Sequence, residues 1–138
     1  MLVTCQNYGI RIWQVDYQLK KLRPTDVNFG NLKRQILCIC IDPLDKFGYF
    51  GTKSGDILEI DLSNAIYKRI GPMKKLFPQG VNTIKMLPNN DLLVGTAEGV
   101  IAKIGYNDFK VKKTSKVLGG VTSMSLTAES AFFFCGTE

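Results

Sequence analysis

Ile36-Leu-Cys-Ile-Cys-Ile-Asp-Pro43 lines up with Val81-Asn-Thr-Ile-Lys-Met-Leu-Pro88 at an offset of 45 residues, and that segment lines up with Val121-Thr-Ser-Met-Ser-Leu126 at an offset of 40. A second landmark follows each. Gly51-Thr-Lys-Ser-Gly55 matches Gly95-Thr-Ala-Glu-Gly99, and Gly136-Thr-Glu138 begins the same motif again. Leu2-Val-Thr-Cys-Gln-Asn-Tyr-Gly-Ile-Arg-Ile-Trp13 opens the chain with one more copy of the downstream half. Landmarks at a period of 40–45 residues define a repeat protein, in which each unit buries its faces against its neighbours.

Inside each unit the pattern is short strands joined by tight turns. Leu37, Ile39 and Ile41 alternate with Ile36, Cys38 and Cys40, so both faces of this strand are apolar and burial on both sides is expected. Residues 42–46, 88–91 and 127–130 read as turns. Second strands, aromatic or aliphatic, follow at 48–52, 91–96 and 131–136. Hairpin turns at 53–56 and 97–99, with glycine supplying a positive φ, lead to third strands at 57–61 and 100–104. Fourth, more polar strands are expected at 66–70 and 109–113, as suits exposed sheet edges. No stretch has a sustained helical period.

Four strands per unit, graded from apolar to polar, predict a propeller blade. The fold class is therefore all-β, an open arc of about 13 antiparallel strands in parts of four blades. Strands two to four of an incomplete blade are expected in residues 1–24, full blades at 35–70 and 81–115, and the first two strands of another at 121–138. Closed propellers have about four to eight blades, so this arc cannot close on itself. An excerpt of a longer polypeptide is the preferred reading, and association of chains the other. Alone, the arc exposes strand edges around residues 1–6 and 131–136 and is expected to self-associate.

Trp13, at the end of Gly-Ile-Arg-Ile-Trp, stands where WD40 repeats carry their Trp-Asp, and the Gly-Thr-x-x-Gly hairpins resemble that family's turn between second and third strands. The detail departs from the pattern. Trp13 is followed by Gln14, Ile60 or Ile104 stands at the equivalent place in the other units, and the Gly-His dipeptide is missing. The Trp–Ser/Thr–His–Asp hydrogen-bond network of many WD40 blades is therefore absent, and blade stability is expected to rest on packing. The series Gly9-Ile-Arg-Ile-Trp13, Leu32-Lys-Arg34, Phe50-Gly-Thr-Lys-Ser-Gly-Asp-Ile-Leu58, Leu92-Leu-Val-Gly-Thr-Ala-Glu-Gly99 and Gly119-Gly-Val-Thr-Ser123 resembles the N-terminal propeller of the cilia- and flagella-associated protein 52 family. The long insertion between Trp13 and Gln35 resembles it as well. The resemblance implies a double-propeller WD40 protein of motile cilia, a microtubule inner protein in the lumen of axonemal doublets, with tubulin and other doublet proteins as partners.

Composition narrows the function classes. The 138 residues suit one domain, and 45% hydrophobic with 22% charged residues is a globular balance. No apolar run approaches the length of a spanning helix, so no membrane role is expected. The N-terminus lacks the basic and apolar regions of a secretory signal, and four cysteines make no dense disulfide framework. A reducing, cytoplasmic compartment is the simplest reading. The chain has no histidine, which removes Ser-His-Asp and Cys-His pairs and HExxH zinc sites. An enzyme is not expected, and neither is a cofactor.

Several motifs invite chemistry and have a plainer account. Cys38 and Cys40 share one strand face, but with Cys5 and Cys135 distant they lack the paired Cys-x-x-Cys spacing of zinc sites and read as packing, so no metal is expected. Lys53-Ser54 follows the wrong residues for a phosphate-binding loop and sits in a hairpin. Lys46-Phe-Gly-Tyr-Phe-Gly51 is out of register with the aromatic RNA-binding motif and reads as a core strand. Asp42 and Asp45 read as turn residues.

Charge is more informative. The segments 14–35, 62–80 and 105–119 hold 13 of the 18 basic residues against three acids, a net of +10, and the remainder carries −4. This distribution predicts a basic rim and one basic face, with acid (Asp42, Asp45, Asp91 and Glu129) on the other. A merely solvated edge strand accounts for the lysines equally well. The function expected is a non-catalytic protein-interaction scaffold. Acidic tubulin, implied by the resemblance, suits the basic rim. The candidate contacts from charge alone are Lys20, Lys21, Arg23, Lys74, Lys75, Lys112 and Lys113. The alternative is a generic soluble WD40 adaptor. Nucleic-acid binding is not expected, because the basic segments are Lys-rich and their aromatics (Tyr17, Phe29, Tyr67, Phe77, Tyr106, Phe109) are not interleaved with Arg.

Overall fold

The computed structural model describes residues 1–74, 77–129 and 131–138. Among these residues there is no helix, and thirteen antiparallel strands form four sheets. The first sheet joins β1 (Leu2–Gln6), β2 (Gly9–Asp16) and β3 (Lys21–Asp26). The second joins β4 (Ile36–Ile41), β5 (Phe47–Thr52), β6 (Ile57–Asp61) and β7 (Ile66–Gly71) in chain order. The third repeats this with β8 (Val81–Met86), β9 (Leu92–Thr96), β10 (Val100–Ile104) and β11 (Val111–Lys116). The fourth is the pair β12 (Val121–Leu126) and β13 (Phe133–Thr137).

Strand periodicity sets how the sheets stack. On β5, Tyr49 points into the cluster shared with the third sheet, and its neighbour Phe50 points into the cluster shared with the first. On β9, Leu92 and Val94 join the cluster between second and third sheets, while Leu93 joins the one between third and fourth. β10 divides in the same way, Ala102 and Ile104 to one side and Ile101 to the other. Each middle sheet is therefore apolar on both faces and sandwiched. Burying a large side chain in this way contributes about 1.5–3 kcal/mol. The innermost strands β4, β8 and β12 lie side by side, and β3, β7 and β11 stand at the outside. The result is an open arc of propeller type, with no closed barrel.

The repeated Gly-Thr motif has a packing cause. A side chain at Gly51 would come within 2.6 Å of Val81, and one at Gly95 within 2.5 Å of Val121. Val81 and Val121 begin the innermost strand of the following sheet, and both are fully buried. Glycine here lets adjacent sheets approach closely. Each innermost strand also carries a bulge at its second residue, between Ile36 and Cys38, between Val81 and Thr83, and between Val121 and Ser123.

Two expectations need correction. β4 is not buried on both sides, since Leu37 is 39% exposed and Ile41 is also exposed. The bulge expels Leu37 from the ladder, so strict alternation fails at that residue. The fourth strand of the third sheet begins at Val111 and runs to Lys116, instead of covering 109–113. Phe109 holds a left-handed backbone, φ 53°, that ends the turn and turns its ring into the core beside Gly71. Lys20 and Ala65 take the same left-handed position in the corresponding turns of the first two sheets.

Candidate interaction surface

The sheets are braced by buried carboxylates as well as by packing, which corrects the expectation that packing acts alone. Thr52 Oγ1 donates to Asp56 Oδ1 at 2.5 Å, and Arg34 Nε donates to Asp56 Oδ2 at 2.9 Å, so the hairpin between β5 and β6 is tied to the segment before β4. Arg69 Nε donates to buried Glu59 at 2.6 Å. The same guanidinium donates to the carbonyls of Tyr106 and Asn107 and lies 4.4 Å from the centre of the Phe109 ring, fastening β7 to the turn before β11. In the first sheet Trp13 Nε1 donates to Thr4 Oγ1 at 2.9 Å.

Asp91 is the most heavily partnered acid, although only 4% exposed. Its carboxylate accepts from the Tyr106 amide at 3.0 Å, from Asn89 Nδ2 at 3.0 Å and from Lys112 Nζ at 3.2 Å, with Lys103 Nζ at 3.4 Å. Burial pushes its pKa up, and these donors together overturn that effect and hold it at about 2. An unpaired charge could not persist there.

The candidate contacts fall into two groups. Lys20, Lys21 and Arg23 lie on the turn into β3 and on β3 itself, and all are exposed. Arg23 is already paired with Asp16 at 2.8 Å. Lys112 and Lys113 lie on β11, the outer strand of the third sheet. Lys113 stands opposite Lys103 in the ladder, and Lys112 is committed to Asp91. Lys74 is exposed in the loop after β7 and is brought beside residues 108–111, close to Lys112 in sequence. Lys75 lies outside the described residues. The seven cations thus make no single patch. The structure joins Lys74 to the β11 group and leaves the β3 group a sheet away.

Of the four acids expected on one face, Asp42 in the turn after β4 and Asp91 beside the turn after β8 are engaged, and Asp61, in the turn after β6, is engaged in the same way. Asp42 accepts from the amides of Lys46 and Phe47 at 2.7 and 2.8 Å, and Asp61 from those of Ser63 and Asn64. Turn chemistry places them there. Asp45 and Glu129 are exposed. The sequence reading missed Asp56, Glu59 and Arg69, whose only signal was charge inside otherwise apolar strands and hairpins.

Between the outer strands of second and third sheets lies a groove of about 470 Å³. Arg69, Ile70, Pro72, Met73, Phe109 and Val111 form its walls and floor, and Lys74 and Lys110 stand on its rim. Among the described residues no group of three or more potential metal ligands occurs. Burial pushes the Cys38 thiol up to about 12, which leaves it unreactive at neutral pH.

Fold and surface define an all-β, open arc of propeller type whose outer strands are basic. The chain is 38% identical over all 138 residues to cilia- and flagella-associated protein 52 of Sus scrofa and 36% identical to that of Homo sapiens. It is 34% identical, over 99% of its length, to cilia- and flagella-associated protein 52 of Chlamydomonas reinhardtii. The resemblance drawn from the strand motifs thus runs along the whole chain. The chain spans 22% of the length of each of these relatives. No protein-family model matches it.

Proposed function

We propose that this chain is part of a WD-repeat propeller that acts as a non-catalytic protein-interaction scaffold of cilia or flagella. In this reading it is bound to tubulin within the axonemal doublet and stabilises the doublet. The observation that carries the reading is similarity, along the whole of this chain, to a stretch of proteins named for cilia and flagella. The fold supports it, because interlocked sheets hold exposed lysines on a rigid frame. An acidic partner suits the net charge of +6, with the basic residues concentrated on outer strands and the loops beside them. Stacking on single-stranded nucleic acid is disfavoured by Phe77 and Phe109, whose rings are buried in the core.

Charge reversal tests the electrostatic part. Lys74→Glu with Lys113→Glu in the full-length polypeptide is expected to reduce co-sedimentation with microtubules, and more so at low salt. Unchanged sedimentation contradicts it. Lys112 is left intact in this test, since its reversal would confront Asp91 with a second carboxylate.

A further inference from the structure

We propose that the groove between β7 and β11 receives an acidic peptide segment that carries one bulky apolar side chain. The inference deepens the scaffold reading, and rests on it for the partner being a protein. The groove's volume of about 470 Å³ falls in the range of pockets that seat sizeable organic groups, ample for one large side chain. Its floor is Ile70, Pro72, Phe109 and Val111, and Met73, 75% exposed at its lip, is a side chain that adapts to an incoming shape.

Charge selects the occupant. Lys74 and Lys110 are exposed on the rim, and neither ammonium takes part in an ion pair among the described residues. Arg69 is spent on Glu59 and on the carbonyls of Tyr106 and Asn107, so it serves as wall. The lining has one acid, Asp108, whose carboxylate receives the Lys110 amide at 3.1 Å. Among the described residues, two cations without an ion pair therefore flank an apolar floor. β7 and β11 are each the outermost strand of their sheet; Asn28 bridges β7 at Ile66, and beyond that residue each strand presents a backbone edge to an extended segment. Apolar floor, flanking lysines and open edges together match an extended acidic peptide with a central leucine or phenylalanine.

The test is fluorescence anisotropy with the full-length polypeptide and a labelled peptide, Asp-Glu-Asp-Leu-Glu-Asp. Controls are the same peptide with Ser for Leu, a Lys-Leu-Lys counterpart and a short oligothymidine. Saturable binding of the acidic leucine peptide is expected, weakened at least about tenfold by Lys74→Glu with Lys110→Glu and by loss of the leucine. Both substitutions lie on exposed side chains, and an unchanged thermal melt verifies the fold. No binding, binding indifferent to the paired substitution, equal binding of the serine peptide, or preference for the oligonucleotide would each overturn the proposal. Microtubule co-sedimentation is run on the same samples. Peptide binding without sedimentation would sink the tubulin reading alone, and sedimentation without peptide binding would sink the groove alone.

Discussion

Asp91 shows what one residue does for this fold. Its carboxylate is buried within the third sheet, where it gathers the Tyr106 amide, Asn89, Lys103 and Lys112. Asp91→Asn keeps the shape and removes the charge, and should cost about 2 kcal/mol at neutral pH by urea denaturation. The carboxyl falls from 3.8 to about 2 on folding, so the folded state holds it ionised where the unfolded chain would protonate it. Its contribution is complete above about pH 4 and is lost as pH falls through about 2, so the gap between wild type and variant should close over that window. A gap that stays constant with pH would contradict the assignment. Lys20 makes the opposite case. Its left-handed backbone, φ 51°, is costly for a side-chain-bearing residue, so Lys20→Gly should stabilise the chain by about 1 kcal/mol in the same assay. The equivalent Phe109 cannot be exchanged so freely, because its ring fills the core against Tyr49.

At the scale of elements, the innermost strands and the Gly-Thr hairpins form one device. Glycine on the second strand admits the valine that opens the next sheet. Gly95→Ala should therefore cost about 1–3 kcal/mol by overpacking against Val121 and Thr83. At Gly136 an added methyl meets the hydroxyl of Ser123 at 2.8 Å, a group that can rotate away, so Gly136→Ala should stay within about 0.5 kcal/mol. Equal losses at the two positions, measured by thermal melts, would refute this account of the motif. The sequence period carried the strands well, because alternation and turn residues act locally. Where it misled, something non-local intervened. The bulge at Leu37 broke the alternation, and the core's claim on Phe109 pushed β11 two residues along. The ion-pair braces were hidden for the same reason, since Arg69 meets Tyr106 and Asn107 across 37 and 38 residues of chain. The basic segments were legible as composition. Which lysines are free and which are spent depended on partners that spacing does not reveal, as with Lys112 and Asp91.

For the whole molecule, the arc is an array of sheets that bury their faces pairwise, so its outermost surfaces matter most. β1 and β13 are edge strands, and Phe132 just before β13 and Phe134 within it are 71% and 70% exposed. The isolated 138 residues should therefore self-associate in light scattering, and a monodisperse monomer would contradict that expectation. The basic outer strands lie along the same arc, and the proposed scaffold role requires that they meet an acidic partner in place. The most direct test is retention of the full-length polypeptide in demembranated axonemes, by immunoblot before and after a high-salt wash. A scaffold held within the doublet is predicted to remain with the axoneme through the wash. Absence from the axoneme, or release by salt, would contradict the doublet assignment.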